Sequence, residues 1–453
     1  MLIILALSKG KSIIFLEIML IPLLIIVIAA IISMVLLIIL KPQIKVFRFN
    51  LQTFYWPILI GAILLLVFGL LDPQIAFQSL ANNSAINPLK LLIIFLSLSF
   101  ISIVLDETGF FAFLASVAVN KSKGSQIKLF IILYSLVSFL TVFTSNDIII
   151  LTFTPFIIFF CKRANINPIP YLVSEFIAAN TWSLLLIIGN PTNIYLSQSF
   201  GISFFEYAKI MALPTLFVGA VSFLILFLLF YRQLKVTISA IDIPVEKVKT
   251  PLAMYIALFI LISSMILMAI SNYVNLEMYI ITLCCAVALA IFVIIYCITK
   301  RKNFLLINTV KRLPYSLIPF VLSMFLIVLA LHEEGVTTIL ANFLGDKMPI
   351  FTYGFSSLFA SNLINNIPMT VLYQQIINAG STSIVPESIY ASIVASNIGA
   401  FITPIGSLAG LMWMSLLKTY NVKFSFLRFT LYGLIIGLPS IVFGLIGLFI
   451  EML

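Results

Sequence analysis

Charge is scarce in this chain: of 453 residues only 9% are Asp, Glu, Lys or Arg. A soluble domain carries about 25%, so a soluble enzyme, a nucleic-acid-binding domain and a disordered segment are excluded. Histidine is nearly missing, and the single His332 rules out HExxH and other multi-histidine metal motifs. There are four cysteines, Cys161, Cys284, Cys285 and Cys297. Three would share one helix and none has zinc-finger spacing, so reduced thiols are expected rather than a disulfide framework or a metal site. The chain also lacks GxSxG and paired intramembrane aspartates at catalytic spacing, which argues against an intramembrane enzyme. No catalytic residue, cofactor or metal ligand is assigned.

What the chain has is apolar side chain. Hydrophobic residues make up 62%, and the mean hydropathy is +1.23. Several apolar runs reach about 20 residues, enough for a helix to cross ~30 Å of hydrocarbon at ~1.5 Å per residue. The fold class is therefore all-α and polytopic, in the cell membrane, with the lipid bilayer as partner and no nucleic acid. Apolar stretches run 12–40, 53–71, 89–105, 129–161, 169–200, 210–231, 252–270, 278–298, 314–331, 350–379, 389–417 and 430–450. The first has no small-residue cleavage site after it and reads as a retained span.

Lys and Arg number 25 against 15 acidic residues. Most fall in clusters at 41–48, 121–128, 162–163, 232–249, 300–312 and 418–428; Lys9, Lys11, Lys90, Lys209 and Lys347 are scattered. The 129–161 run lies between two such clusters, too long for one span and too short for two. Positive-inside bias places both of its flanks in the cytoplasm. Its polar interruption at 144–147 is then the tip of a re-entrant helical hairpin with arms 129–144 and 148–161. The 350–379 run, interrupted at 365–366 and flanked only by Lys347, reads as a second hairpin entered from outside. On this topology every cluster lies on the cytoplasmic side and both termini lie outside.

Two halves emerge: residues 1–235, a cytoplasmic linker at 236–251, and residues 252–453. Each half has three helices, a re-entrant hairpin, a helix broken by a Gly/Pro turn (169–200 and 389–417) and a final helix. Leu105-Asp106-Glu107-Thr108-Gly109 is echoed by Leu331-His332-Glu333-Glu334-Gly335. Two inverted repeats whose discontinuous helices meet at the midplane are the plan of secondary transporters.

Only Glu17, Glu175 and Asp147 fall within apolar segments. Glu17 stands near the start of the first helix and Glu175 near the cytoplasmic face. Asp147 sits at a hairpin tip, where a carboxylate costs roughly 2.5–3.5 kcal/mol on insertion scales. It is the candidate for proton or cation coupling, or else caps the second arm. Ser145, Asn146, Asn365 and Asn366 at the tips offer donors and acceptors at helix ends. They suit a small neutral solute, a carboxylate or sodium, or simply hold the tips together. Asn190, Thr192 and Asn193 at one break, and Thr403, Gly406 and Ser407 at the other, join the candidate binding set. Asn180 and Asn397 precede the breaks and divide evenly between ligand binding and interhelical hydrogen bonding. Trp182 and Trp413 read as packing residues, and His332 as external. A passive channel fits the tip carboxylate poorly.

Over its full length the chain resembles the ArsB-type arsenite permeases, within a superfamily that includes sodium/proton antiporters and sodium–dicarboxylate carriers. The resemblance is carried by LDETGFF (105–111), SNDIIILTFTP (145–155) and NPTNIYLSQSFGISFFEYAKIMALP (190–214). In the second half it rests on NNIPMTVL (365–372) and ITPIGSLAGLMW (402–413). It implies export of arsenite or antimonite in exchange for protons, alone or with an ATPase subunit, from a site built by Asp147, the Asn365-Asn366 tip and the two broken-helix turns. The chain departs from the family pattern at Asn180 and Asn397, where aspartates are common, which leaves Asp147 as the main coupling candidate. Sodium/proton exchange or carboxylate transport is the alternative, and a homodimer is left open.

Overall fold

The computed structural model describes residues 13–41, 43–46, 49–82, 87–236, 246–271, 273–300 and 303–453. Residues 237–245 of the linker, with Asp242 and Pro244, lie outside the described residues. So do Lys9, Lys11, Arg48, Arg301 and Lys302, and the side chain of Glu17.

The chain opens with α1 (Ile13–Leu40), a short antiparallel pair β1 (Gln43–Val46) and β2 (Phe49–Gln52) with Val46 opposite Phe49, then α2 (Tyr55–Val67) and α3 (Pro73–Ala81). Next come α4 (Pro88–Glu107) and α5 (Phe110–Lys121), the hairpin arms α6 (Gln126–Phe143) and α7 (Asn146–Arg163), and a broken helix. That helix comprises α8 (Ile169–Trp182), a 3-10 turn at Ile187–Gly189 and α9 (Pro191–Ser199), and α10 (Phe204–Leu234) follows it. The order recurs with α11 (Pro251–Ala269), α12 (Met278–Lys300), α13 (Phe304–Arg312), α14 (Leu317–Glu333) and α15 (Val336–Leu344). The second hairpin is α16 (Pro349–Ile364) and α17 (Asn366–Ala379). After a short turn at Thr382–Ile384 come α18 (Val385–Gly399), a turn at Pro404–Gly406, α19 (Leu408–Thr419) and α20 (Phe426–Glu451).

Helices end and restart at 144–145, at 183–190, at Asn365 and at 400–407, beside the polar and Gly/Pro interruptions. Some features go beyond the expectation. The arms α6 and α7 have 18 residues each, about 27 Å at ~1.5 Å per residue, longer than the apolar runs alone. Polar ends extend them: Ser125 Oγ accepts the Lys128 N–H at 3.3 Å, and Lys162 and Arg163 occupy the last turn of α7, where cations favour a helix C-terminus. The third helix of each half continues, past a glycine, into a short extra helix. Gly109 (φ 87°) and Gly335 (φ 79°) make those joints in the left-handed region, and they are the glycines of the two echoed motifs.

Among the described residues, eight segments are long and apolar enough to cross a membrane: Met19–Ile38, Pro88–Glu107, Gln126–Phe143, Phe204–Leu234, Pro251–Ala269, Met278–Lys300, Phe304–Glu333 and Phe426–Glu451. Their outer faces are apolar and exposed. On α1, Ile21, Ile25, Ile28 and Ile32 point outward at helical spacing while Leu20, Leu23, Val27 and Met34 are buried, the pattern of a helix with one face toward lipid. The protein is an integral, multi-pass membrane protein. The broken helices lie at the centre, with every residue of α8 from Ile169 to Thr181 and of α18 from Ser388 to Gly399 buried.

The packing repeats as the element order does. In each half the first hairpin arm lies on the broken helix, and the broken helix lies on the final helix. The second arms cross over: α7 packs on α19, and α17 packs on α9. Contacts also tie the basic clusters together. Lys162 Nζ donates to the Tyr420 carbonyl (2.8 Å), Gln126 Nε2 to Val236 (2.8 Å), and the Lys249 N–H to Thr108 (2.8 Å). Arg312 Nη1 reaches both Asp106 and Glu107 at 2.7 Å. At the other end of α4, Lys90 pairs with Glu277.

Candidate functional site

Each helix break closes on a glycine. A Cβ at Gly189 would lie 2.7 Å from Ser183 Cα, and one at Gly406 would lie 2.9 Å from the carbonyl carbon of Gly399. Backbone approaches backbone at both turns, which only glycine permits. The half-helices that follow are capped from the turns: Asn190 Oδ1 accepts the Thr192 N–H (3.2 Å), and Ser407 Oγ accepts that of Gly410 (3.0 Å).

The first tip leans on the first broken helix. Asn146 Nδ2 donates to Asn180 Oδ1 (3.0 Å), and Asn180 Nδ2 donates to the Phe176 carbonyl (2.8 Å). The second tip leans on the second break, with Asn365 Nδ2 donating to the Ile405 carbonyl (2.9 Å). Asn365 sits at φ 76° and caps α17 through Ile367 N–H (3.3 Å). Asn397 binds the two breaks together. Its Oδ1 accepts from Ser183 Oγ (2.8 Å) and Asn190 Nδ2 (2.9 Å), while its Nδ2 donates to Asn193 Oδ1 (2.7 Å) and the Ile393 carbonyl (3.0 Å). Asn193 Nδ2 reaches the Ser183 carbonyl (2.8 Å), and Ser396 Oγ donates to Thr192 Oγ1 (2.8 Å). Asn180 and Asn397, similar in sequence position, thus have different partners: one holds a tip, the other holds a break.

Three residues that periodicity did not single out belong to this frame. Asn362 Oδ1 accepts from Thr403 at both its N–H (3.0 Å) and its hydroxyl (2.7 Å), pinning α16 to the second turn. Ser183 and Ser396 complete the Asn397 network. Asn362 stands in the last turn of α16, three residues before the Asn365 tip, and that nearness was its only signal. No hydrogen bond joins the two tips directly among the described residues.

Some polar groups at the centre are left open. Ser145 Oγ is buried with no partner. Asn366 is 3% exposed, and its side-chain amide has no hydrogen-bond partner among the described residues. Asp147, in the first turn of α7, is half-buried; its N–H bonds Asn146 Oδ1 (2.9 Å), and its carboxylate enters no ion pair among the described residues.

That carboxylate lines a cavity of about 560 Å³. Its walls are the start of α7 (Asp147, Ile148, Leu151), the face of α19 (Leu408, Leu411, Ser415), the middle of α4 and the 310–319 segment with Lys311, Arg312 and Tyr315. The matching elements of the opposite pairing are α17, α9, α14 and the start of α4. They enclose only about 10 Å³, between Thr192, Tyr195, Leu91, Val321 and Thr370. The two matching places thus differ in volume, about 560 Å³ beside Asp147 against about 10 Å³ opposite. Arg312 is on the wall of the larger cavity, but its charge is held by Asp106 and Glu107, the latter also bonded by Asn308 Nδ2 at 3.0 Å.

Residues 18–389 match the profile of the citrate transporter family, CitMHS. An arsenical pump membrane protein of Yersinia enterocolitica is 30% identical over 420 residues, covering 88% of this chain and 93% of that protein. The arsenical pump membrane protein of Escherichia coli (strain K12) is 28% identical over 422 residues, with the same coverage.

Proposed function

Given that the chain belongs to the citrate transporter family CitMHS and is a membrane transporter of the type shared with its arsenical pump relatives, we propose that it exports arsenite and antimonite in exchange for protons. The observation that carries this reading is the pair of matching cavities, a large one beside Asp147 and a nearly closed one opposite, which we read as an open path and its closed counterpart. Alternating access in inverted-repeat transporters needs two such paths, open one at a time around a fixed site. In this reading the halves 1–235 and 252–453 are related by an inverted pseudo-twofold axis, with the 236–251 linker cytoplasmic. The open path then faces the cytoplasm, where Lys311 and Arg312 stand at its mouth.

The trihydroxides of arsenic and antimony are neutral at pH 7 and are held by hydrogen bonds rather than by fixed charge. The unpartnered Ser145 Oγ and the buried Asn366 amide supply such bonds, and the tips contain no Lys or Arg. Asn146, Asn180, Asn190, Thr192, Asn193, Asn365, Asn397, Thr403, Gly406 and Ser407 frame the site and keep its backbone groups satisfied, as non-helical backbone at membrane depth requires. Asp147 takes up a proton from the external side when the closed path opens, and releases it to the cytoplasm when substrate loads.

Carboxylate transport is the second reading, favoured by the family's description as citrate transporters and by Lys311, which lines the open path with no ion pair among the described residues. Everted vesicles with an acid interior and no sodium separate the two. The expected result is arsenite accumulation that collapses with the pH gradient and is abolished in Asp147→Asn, with the variant still inserted. Gradient-driven flux retained in that variant sinks the coupling role. Citrate uptake without arsenite uptake establishes the second reading.

A further inference from the structure

One carboxyl remains unused by this scheme. Glu175, on α8, is 1% exposed, and no Lys, Arg or His pairs with it among the described residues. Both of its oxygens lie 3.0 Å from Thr154 Oγ1 of α7, which donates to it. The indole N–H of Trp413, on α19, lies beside it, buried and without another partner. Of the titratable groups on the other helices packed on α8, Tyr390 of α18 packs its ring on Tyr207 with its hydroxyl buried and unpartnered, and two more are engaged elsewhere. Tyr134 of α6 reaches the Gly219 carbonyl, and Tyr207 of α10 donates to the Leu184 carbonyl. A buried carboxyl touched only by a hydroxyl and an indole is expensive in the charged form.

The repeat shows that the fold does not need this carboxyl. Counted from the tip asparagines, Thr154 of α7 and Gln374 of α17 hold the same place. Counted from Asn180 and Asn397, Glu175 matches Ser392 of α18. In the second half the same helix pair is assembled with neutral side chains, both fully buried.

Position also matters. Thr154 and Trp413 belong to the two helices, α7 and α19, whose front faces at Leu151, Leu411 and Ser415 line the open path. Glu175 therefore sits directly behind the seam between them, and parting that seam brings water from the path to the carboxyl.

We propose that Glu175 is a second proton-exchanging group of the transporter, which loses one proton to water that reaches it from the path and regains one on the alternate opening, with no other bond made or broken. The inference rests on the proton-exchange reading above. It makes the α7–α19 seam, rather than Asp147 alone, part of the coupling.

Glu175→Gln copies the shape of the protonated form and so separates a titrating carboxyl from a permanently neutral one. The expected result is loss of pH-gradient-driven accumulation in everted vesicles while substrate counterflow without a gradient persists. Gradient-driven accumulation with a wild-type pH profile overturns the proposal. Thr154→Val gives a second reading: losing the hydroxyl is expected to displace the pH profile by roughly half a unit or more, and an unmoved profile counts against the proposal. Infrared titration of the purified protein needs no substrate. A carboxyl band that titrates in wild type and is missing in Glu175→Gln supports the role even if arsenite proves not to be the cargo, and an unchanged spectrum refutes it.

Discussion

Two asparagines of the centre, Asn397 and Asn366, predict opposite phenotypes. Asn397 uses its amide fully, in four hydrogen bonds, three of which join α18 to the first break. Replacing it by Ala strands Asn190 Nδ2 and Asn193 Oδ1 in a dry interior, while Ser183 Oγ keeps the Asn180 carbonyl, and each stranded polar group costs about 1–3 kcal/mol. We expect Asn397→Ala to lower unfolding stability in detergent by about 3 kcal/mol. Among the described residues the Asn366 side chain has no partner to strand, so Asn366→Ala should leave stability within about 0.5 kcal/mol of wild type while weakening the concentration dependence of transport. Equal loss of stability in the two variants would contradict the division between frame and site. Both residues were legible in the sequence as amides in apolar runs. Their partners were not, because hydrogen bonds such as Asn397 to Asn193 span about half the chain and leave no local periodicity. Glu175 illustrates the same limit. Its depth in its helix could be counted, but burial behind the α7–α19 seam depends on packing that sequence spacing does not encode.

At the scale of elements, the hairpins and breaks were readable because polar or Gly/Pro interruptions stand out against apolar runs. The α4–α5 and α14–α15 joints were half-legible: the motif echo was visible, whereas its meaning, a left-handed glycine that turns one helix into the next, required φ angles. The short α3 and α13 and the β1–β2 pair have no strong periodic signal and were not anticipated. The breaks themselves can be tested. Gly406 admits no Cβ without moving the backbone of Gly399, and overpacking of this kind costs typically 1–3 kcal/mol. Gly406→Ala should therefore lower the thermal midpoint and impair transport together. Serine at the same position should do no better, since its Cβ meets the same backbone. A variant that keeps both wild-type stability and wild-type transport would show that the turn is not closely packed.

For the whole molecule, the decisive question is which way the open path faces. The basic clusters at 121–128, 162–163, 232–249, 311–312 and 418–423 are linked by contacts such as Lys162 to Tyr420 and Gln126 to Val236. They belong to one end of the bundle, the end that positive-inside bias assigns to the cytoplasm. The cavity beside Asp147 has Lys311, Arg312 and Tyr315 in its wall, so in the proposed topology it opens at that same end. Cysteine labelling checks this directly. Cys284 is exposed and Cys285 partly so, whereas Cys161 and Cys297 are buried, so a background with Cys284 and Cys285 replaced by Ser suffices. In it, Lys311→Cys and Tyr315→Cys should react with a membrane-impermeant maleimide in everted vesicles, and Asn82→Cys only in right-side-out ones. Substrate or an imposed pH gradient that favours the opposite state should protect Tyr315→Cys, since the path closes as its counterpart opens. Labelling of Tyr315→Cys only from the exterior would reverse the topology, and with it the direction of transport. Labelling from the cytoplasm that substrate and gradient leave unchanged would keep the topology and remove the path from the transport cycle.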